Sequence, residues 1–334
     1  MVTVHDVARA AGVSISTVSR ALSDPDRVAA ATRDRVTRAA AELGYRPNRA
    51  ASGLRKGRTH AVGLLVPDLE NPYFAAVTKA VQARARAEGY EMFVADSDED
   101  ADVEAELIGA LAARTDGLLV ASPRCSEAGL RAALAGVTAV LANRELPAEP
   151  GATAVPSVHV DDADGAAQVM GHLSALGHRT VALAAGPPSS WSGRRRVAGL
   201  VAAAAHRDVE LVELGTFQPY FAGGVQAADH AVASGATAVV AFNDLMALGI
   251  LDRLRQRGVD VPGRMTVVGF DDVPQATLVS PALTTVRAPL ARLGRRAVDL
   301  LLARLRGDLP AGVQLPVELT IRGSSGPAPA GAAG

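Results

Sequence analysis

From His60 to about residue 306 the chain alternates short apolar runs with longer, Ala-rich amphipathic stretches, and this alternation leaves few architectures open. The apolar runs lie at 61–66, 117–121, 137–142, 180–185, 237–242 and 265–270. The helical stretches lie near 74–88, 102–113, 163–176, 194–205, 222–234, 245–257 and 290–306. Strands that are apolar on both faces and separated by helices predict parallel sheets covered on either side. About ten strands are too many for one small sheet, and Pro156–Asp162 is a natural division between two βα arrays. The expected body is a pair of doubly wound parallel-sheet subdomains. In such sheets ligands bind outside the carboxyl ends of the strands.

The 334 residues suggest two or three domains. Hydrophobic residues at 49% and charged residues at 21% fit a globular chain rather than a disordered one. No apolar run approaches the roughly 18 residues of a membrane span. Residues 1–20 carry Asp6, Arg9 and Arg20 and lack the apolar core of a secretory signal. One cysteine, Cys125, excludes a disulfide framework and a Cys-based zinc site. The expected compartment is the cytoplasm.

The net charge of −1 hides an asymmetry: residues 1–60 carry 11 Lys and Arg against 5 Asp and Glu, and the remainder is acidic. A compact basic module of this size is a plausible footprint for nucleic acid or simply a solvated surface. Its sequence favours the first reading. Thr3 and Asp6 are spaced as a capping box, and Val4, Val7 and Ala8 share a helical face. Gly12 breaks the helix and Val13 plugs the small core. Ser14 is placed to cap a second helix with Val18, Ala21 and Leu22 inward. Two helices joined by a short Gly-containing turn form a helix-turn-helix, whose second helix enters the major groove N-terminus first. Ile15 and Ser16 would face base edges, with Arg20 one turn along. Ser14, Thr17 and Ser19 would serve the phosphates, which fix register without reading sequence. A third helix is expected from Thr32, as N-cap, to Leu43, closed by Gly44, with Val28, Val36 and Leu43 completing the core. Pro47 then interrupts the chain, and Asn48 can cap a short, weak helix over 49–56 with Leu54 as its one large apolar residue.

The run Thr3-Val-His-Asp-Val-Ala-Arg-Ala-Ala-Gly-Val-Ser-Ile-Ser-Thr-Val-Ser-Arg-Ala-Leu22, followed by Leu43-Gly-Tyr-Arg-Pro-Asn48, resembles the N-terminus of the lactose/galactose repressor (LacI) family. The resemblance implies a hinge helix at the segment matching 48–56, paired across a dimer, with Leu54 wedged into the minor groove to kink the duplex. It places the family's specificity pair on Ile15 and Ser16. Ile15 suits a thymine methyl, whereas Ser16 discriminates poorly.

Polar and aromatic residues gather after the predicted strands of the body: Pro67–Phe74, Asn143-Arg144, Gly186–Arg196, Asn243-Asp244 and Asp271-Asp272, with Tyr73, Phe74, Trp191 and Phe217 among them. Amides, a guanidinium and carboxylates beside aromatic rings suit a polyhydroxylated ligand. Each Asp or Asn taken singly could instead cap a helix, as Asp102, Asp162 and Asp244 could. Asn71-Pro-Tyr-Phe74, Leu176-Gly-His-Arg179, Phe242–Gly249 and Val267–Asp272 resemble the periplasmic-binding-protein-like body that the family joins to its headpiece. That resemblance spans about residues 3–326. It implies effector contacts at Asn143, Arg196, Asn243 and Asp271, an aromatic at Phe217, and a cleft lined by Asn71 and Phe74. Two departures stand out: Ala288 where several relatives carry Gln, and Asn143 where some carry Asp. The purine-repressor pattern also fails, because one of its pocket arginines falls on Ser190.

The expected organisation is a helix-turn-helix headpiece at 1–47, a hinge at 48–58 and an effector-binding and dimerisation body at 59–334. Within the body the N-subdomain spans about 59–158 and 289–315, the C-subdomain about 160–287 and 316–326, and 327–334 form a disordered tail. Asp96-x-Asp98-x-Asp100 lacks the Gly and the Glu of a calcium loop and reads as a solvated turn. No metal set, cofactor motif, nucleophile elbow or base for Cys125 is visible, so an enzyme is not expected. Two readings remain. One is a homodimeric repressor of a sugar-metabolism operon, released from a pseudo-palindromic operator by a small sugar. The other is a cytosolic sugar-binding protein without regulatory DNA binding.

Overall fold

The structure, a computed structural model, describes residues 2–23, 27–45, 58–149 and 154–330. It divides into two compact units, Met1–His60 and Ala61–Gly334.

In the first unit α1 spans Val4–Ala11, α2 Ile15–Ser23 and α3 Ala30–Glu42. The Asp6 carboxylate accepts from the Thr3 backbone N–H at 2.9 Å and from the Thr3 hydroxyl at 2.7 Å, fixing the start of α1. Gly12 turns the chain at φ +63°, a conformation that costs a residue without Cβ little. The three helices close on Val7, Ala8, Ala11, Val18, Ala21, Val36, Ala39 and Ala40, with Val4, Val13, Leu22 and Val28 packed around them. Two expectations are corrected. Thr32 is not the cap of α3: its N–H already donates to Ala29 O at 2.9 Å, inside the first turn. Leu43 is not core: it is 37% exposed where the helix ends. The Tyr45 N–H returns to Ala40 O at 2.8 Å, which brings Tyr45 against the core in its place.

In the second unit the described strands form two six-stranded sheets. The first contains β1 (Ala61–Val66), β2 (Glu91–Asp96), β3 (Gly117–Ala121), β4 (Ala139–Ala142), β5 (Ser157–Val160) and β11 (Val313–Leu315) in the order β11-β5-β4-β3-β1-β2. All its pairings are parallel. The second contains β6 (Thr180–Ala185), β7 (Glu210–Thr216), β8 (Ala238–Ala241), β9 (Thr266–Asp271), β10 (Thr284–Arg287) and β12 (Glu318–Thr320) in the order β12-β10-β9-β8-β6-β7. It is parallel except for β12, which runs antiparallel to β10. The chain passes between the sheets after β5, after β10 and after β11.

Helices cover both sheets. They are α4 (Pro72–Ala87), α5 (Ala101–Ala112), α6 (Glu127–Ala133), α7 (Asp162–Ala175), α8 (Trp191–Ala205), α9 (Phe221–Ala233), α10 (Asp244–Gln256) and α11 (Leu290–Leu305). Amphipathic stretches with an apolar inner face account for most of them, and the seven-residue α6 buries only Leu130. α11 comes from the end of the chain yet packs on α4 and the first sheet through Leu293, Ala297 and Leu301. Among the described residues no helix is long and apolar enough to cross a membrane.

The strands that apolar runs did not reveal are mostly edges. β2 and β7 each pair with a single neighbour and leave side chains in water, Phe93 being 48% exposed. Such strands need no continuous apolar run. The chain also stays on the body beyond residue 326, where a disordered tail was expected: the Ala328 N–H donates to Leu176 O at 2.9 Å. Residues 331–334 lie outside the described residues, as does the hinge at 48–57.

α9 and α10 approach at the backbone. A Cβ on Gly224 would sit 1.9 Å from Met246 O, and one on Gly249 would sit 2.0 Å from Phe221 O. Gly249→Ala therefore forces the helices apart. Its expected cost is about 2 kcal/mol or more in urea unfolding, whereas Gly136→Ala, with open space around it, costs only the strain of its left-handed backbone.

Candidate functional site

The headpiece presents the first turn of α2. Ser14 Oγ accepts from the Thr17 N–H at 3.1 Å and shares hydrogen bonds of 2.8 Å with the Ser16 and Thr17 hydroxyls. Ser16 and Arg20 are exposed, and Arg20 Nε donates to Ser16 O at 3.3 Å. Ile15, expected to stand out toward base edges, is half-buried and packs against the headpiece core. Thr17 and Ser19 are half-buried on the same helix. Asn48 and Leu54 lie outside the described residues.

In the body a cleft of about 390 Å³, counting its open mouth, lies between the two sheets. Its walls come from the carboxyl ends of strands or from the helices that follow them. The first wall carries Asn71, Tyr73 and Phe74 after β1, Glu99 after β2, Ser122 and Arg124 after β3, and Asn143 after β4. The second carries Ser190, Ser192 and Arg196 after β6, Pro219 after β7, Phe242 and Asn243 after β8, and Asp271 closing β9. The walls meet where the Ser192 hydroxyl donates to Asn143 O at 3.4 Å.

Several of these residues hold unusual backbone. Ser122, Asn143 and Asp271 have φ of 46°, 51° and 116°. Non-glycine residues in that region carry strain, which collects at functional sites.

Arg196 organises the second wall. Its Nε donates to Asp162 Oδ1 at 2.8 Å, one Nη to Phe242 O at 2.8 Å and the other to Asp271 Oδ1 at 3.3 Å. Its guanidinium lies 4.6 Å from the Phe270 ring centroid. Burial works against the charge, but Asp162 and Asp271 more than offset it, so the guanidinium holds its proton more tightly than usual. Burial pushes the Asp271 carboxyl up to about 7, with Arg196 pulling down and Asp162 pushing up. On the first wall Asn143 Nδ2 donates to the Tyr73 hydroxyl, while Asn143 Oδ1 is buried with no partner among the described residues. Glu99 and Arg124 form a two-point ion pair at 2.5 and 2.7 Å.

Two expected contacts are capping residues as well as wall. Asn71 Oδ1 accepts from the Tyr73 N–H at 3.0 Å and opens α4. Asn243 Oδ1 accepts from the Met246 N–H at 2.9 Å and its Nδ2 donates to Pro219 O at 2.9 Å. The capping reading of Asp102, Asp162 and Asp244 is off by two residues at the first and by one at the others: Asp100, Asp161 and Asn243 are the N-caps. This frees Asp162 for Arg196, and Asp244 for the Val273 N–H at 2.9 Å. Ser190 caps α8 through the Gly193 N–H at 3.1 Å, a task an arginine there could not perform.

Trp191 and Phe217 do not line the cleft, contrary to expectation. Trp191 turns to His159, at 5.3 Å between ring centroids, and lies under Arg195. Phe217 packs into the second sheet's core and against His230. Glu99, Ser122 and Arg124 are not among the expected contacts: Glu99 and Arg124 lie 25 residues apart and only the fold pairs them. Ala288 packs against the first sheet's core. Cys125 is held as a thiol, burial and Glu104 pushing it up to about 12. Among the described residues no group of three or more His, Cys, Asp or Glu could hold a metal ion. The Asp96 and Asp100 carboxylates accept backbone N–H groups instead, Asp96 from Leu69 and Asp98 and Asp100 from Asp102.

Comparison with known proteins now decides the family. Residues 3–48 match the bacterial regulatory proteins of the lacI family, and residues 170–325 match the periplasmic binding protein-like domain. The HTH-type transcriptional regulator DegA of Bacillus subtilis is 30% identical over 97% of this chain and 98% of its own. The chain belongs to the LacI family. A lac repressor dimer bound to operator and the anti-inducer ONPF superposes with a TM-score of 0.87 at 30% identity, covering 97% of this chain and 99% of that one. A complex of the regulator CelR with cellobiose superposes at 0.72 with 31% identity, covering 97% and 100%. The lacI-family member described here is thus a helix-turn-helix transcriptional regulator.

Arg196→Ala would strand Asp162 and Asp271 in the interior, at an expected cost of about 3–5 kcal/mol in denaturant unfolding. The Asp271 carboxyl, raised in the folded state, adds stability that is fully present below the ordinary value of 3.8 and is lost as pH rises through about 7. Unfolding measured across that window should show a fall with pH that Asp271→Asn flattens.

Proposed function

We propose that this regulator is a homodimeric repressor of a sugar-metabolism operon, acting in the cytoplasm and released from a pseudo-palindromic operator by a small sugar. The observation that carries the reading is the pairing, in one chain, of an exposed recognition helix with a cleft whose first wall holds Asn143 Oδ1, without a partner among the described residues. A buried acceptor left without a donor is costly unless a ligand hydroxyl meets it. Two headpieces would read the two halves of the operator, since a two-fold dimer demands a two-fold site. Ser16, Arg20 and Ile15 would face the bases, with Ile15 reaching them from the edge of the headpiece core. Ser14, Thr17 and Ser19 would hold phosphates, and Asn48 and Leu54 would order the hinge with Leu54 at the central step.

In the cleft Asn143 and Asp271 would accept sugar hydroxyls, Arg196 would donate its remaining N–H groups, and Phe74 would cover the apolar face. Asn71 and Asn243 would set the walls through their capping bonds. The sugar would act by favouring one arrangement of the two sheets over another, to the extent of its difference in affinity for them. The relatives that carry DNA or a sugar support this reading. No catalytic role is assigned to any side chain, in keeping with relatives that are regulators.

Selection of randomised duplex DNA by the purified protein, repeated with a panel of sugars, tests the proposal. A palindrome enriched and then lost with one sugar supports it. Failure to enrich any duplex, with a sugar still bound, would favour a sugar-binding protein without regulatory DNA binding. Asn143→Ala should weaken the sugar response about tenfold while sugar-free operator affinity stays within a factor of about two. Leu54→Ala should weaken operator binding more than non-specific binding in gel-shift titrations, and equal losses would count against the wedge.

A further inference from the structure

Trp191 is the chain's one tryptophan, and it lies beside the cleft without lining it. It opens α8, between Ser190 and Ser192, which do line the cleft. Its ring meets the imidazole of His159 in a T-shaped arrangement, 5.3 Å between centroids and 73° between planes. His159 belongs to β5 of the first sheet, two residues before Asp161, the cap of α7, by which the chain crosses to the second sheet. The contact therefore ties one sheet to the other next to the crossover. Arg195, one helical turn after Trp191, places its guanidinium 5.0 Å from the centre of the same ring. Trp191 thus touches a cation of its own helix and an imidazole of the opposite sheet.

The join is held at a cost. The His159 side chain is 7% exposed, and its Nδ1 has no partner among the described residues. Its Nε2 stands 3.7 Å from Glu145 Oε1, too far for a hydrogen bond. Arg195 Nε is likewise buried with no partner among the described residues. Buried polar atoms left unpaired are costly, and parting the sheets would give both to water. The ring contact opposes that cost. The charged groups around the imidazole are Glu145 on the corner after β4, Asp161 and Asp162 at the start of α7, and Arg195 on α8. Gln314, its neighbour on β11, carries no charge. Burial outweighs the carboxylates and holds the imidazole below its ordinary 6.5, with Arg195 pushing the same way. The neutral ring thus favours the joined sheets, and a proton favours their parting.

We propose that Trp191, His159 and Arg195 form a latch between the two sheets, and that His159 releases it on taking up a proton. They are positioning residues, which act on the effector by holding the walls of the cleft together. The effector arm rests on the function proposed above, whereas the latch itself does not. A ligand that bridges the walls gains affinity while the latch holds and loses it when the latch opens.

The test follows Trp191 itself, through the rate of acrylamide quenching in the full chain, which reports access to the ring rather than its brightness. From about pH 8 to about pH 5.5, without ligand, that rate should rise about twofold or more, with its midpoint below the ordinary imidazole value. In His159→Phe, which keeps a ring but cannot titrate, and in His159→Gln, it should not change with pH. Glu145→Gln, which removes the carboxylate facing the imidazole, should move the midpoint to lower pH, whereas a merely structural contact would leave it in place. Glucose, galactose, ribose and cellobiose are then titrated calorimetrically at both pH values into the parent chain and His159→Phe. A sugar that binds should lose affinity about threefold or more at the lower pH in the parent chain. His159→Phe should remove that loss, and any pH dependence left in the variant belongs to Asp271. Quenching that is flat with pH, or that titrates equally in the His159 variants, overturns the latch, and a bound sugar would then leave the effector reading standing. Quenching that titrates through His159 with no sugar bound sustains the latch and counts against the effector reading. A sugar whose pH dependence is the same in His159→Phe overturns the coupling of latch to effector.

Discussion

The second wall of the cleft depends on one buried guanidinium. Arg196 reaches back to Asp162 at the start of the crossover helix α7, across to the carbonyl that ends β8, and forward to Asp271 at the end of β9. These three points come from the crossover helix between the sheets and from two separate βα units of the second sheet. A buried cation can be kept only with its charge matched and its donors used, so the guanidinium fixes the spacing of the three. Burial raises the Asp271 carboxyl to about 7 against the pull of Arg196, where its charge can respond to a ligand.

The first wall works differently. Its buried guanidinium, Arg124, has one carboxylate partner, Glu99, and otherwise donates to Ser122 O at 3.0 Å. The Glu99–Arg124 pair braces one side, and Asn143 holds Tyr73 while its carbonyl oxygen has no partner among the described residues. Each wall thus keeps a buried oxygen without a partner among the described residues, Asn143 Oδ1 on the first and Asp162 Oδ2 in the Arg196 network of the second. Helix caps contribute to both, since Asn71, Ser190 and Asn243 lie at the starts of α4, α8 and α10. A capping residue is locked by the backbone it caps, which gives the cleft rigid polar edges.

Much of the fold was legible because periodicity is a local property. The six apolar runs fall on buried strands, and the seven amphipathic stretches fall within a few residues of α4, α5 and α7 to α11. Edge strands β2 and β7 escaped because exposure removes the apolar run, and α6 escaped because it is only seven residues long. In the headpiece the helix-turn-helix was legible from Gly12, Ser14 and the apolar spacing, whereas the exposure of Leu43 depended on how the chain leaves α3.

The sequence by itself determined the layered α/β body, the basic three-helix headpiece and the strand ends on which a site could form. These follow from side-chain period, turn chemistry and the charge of short segments, all of which act between near neighbours. Only the tertiary structure decided which polar residues meet. Asp162 and Asp271, 34 and 75 residues from Arg196, converge on it. Trp191 and Phe217 turn away from the cleft. The physical reason is that a buried charge is stable only where the folded chain brings its partner, and no spacing along the chain encodes that distance.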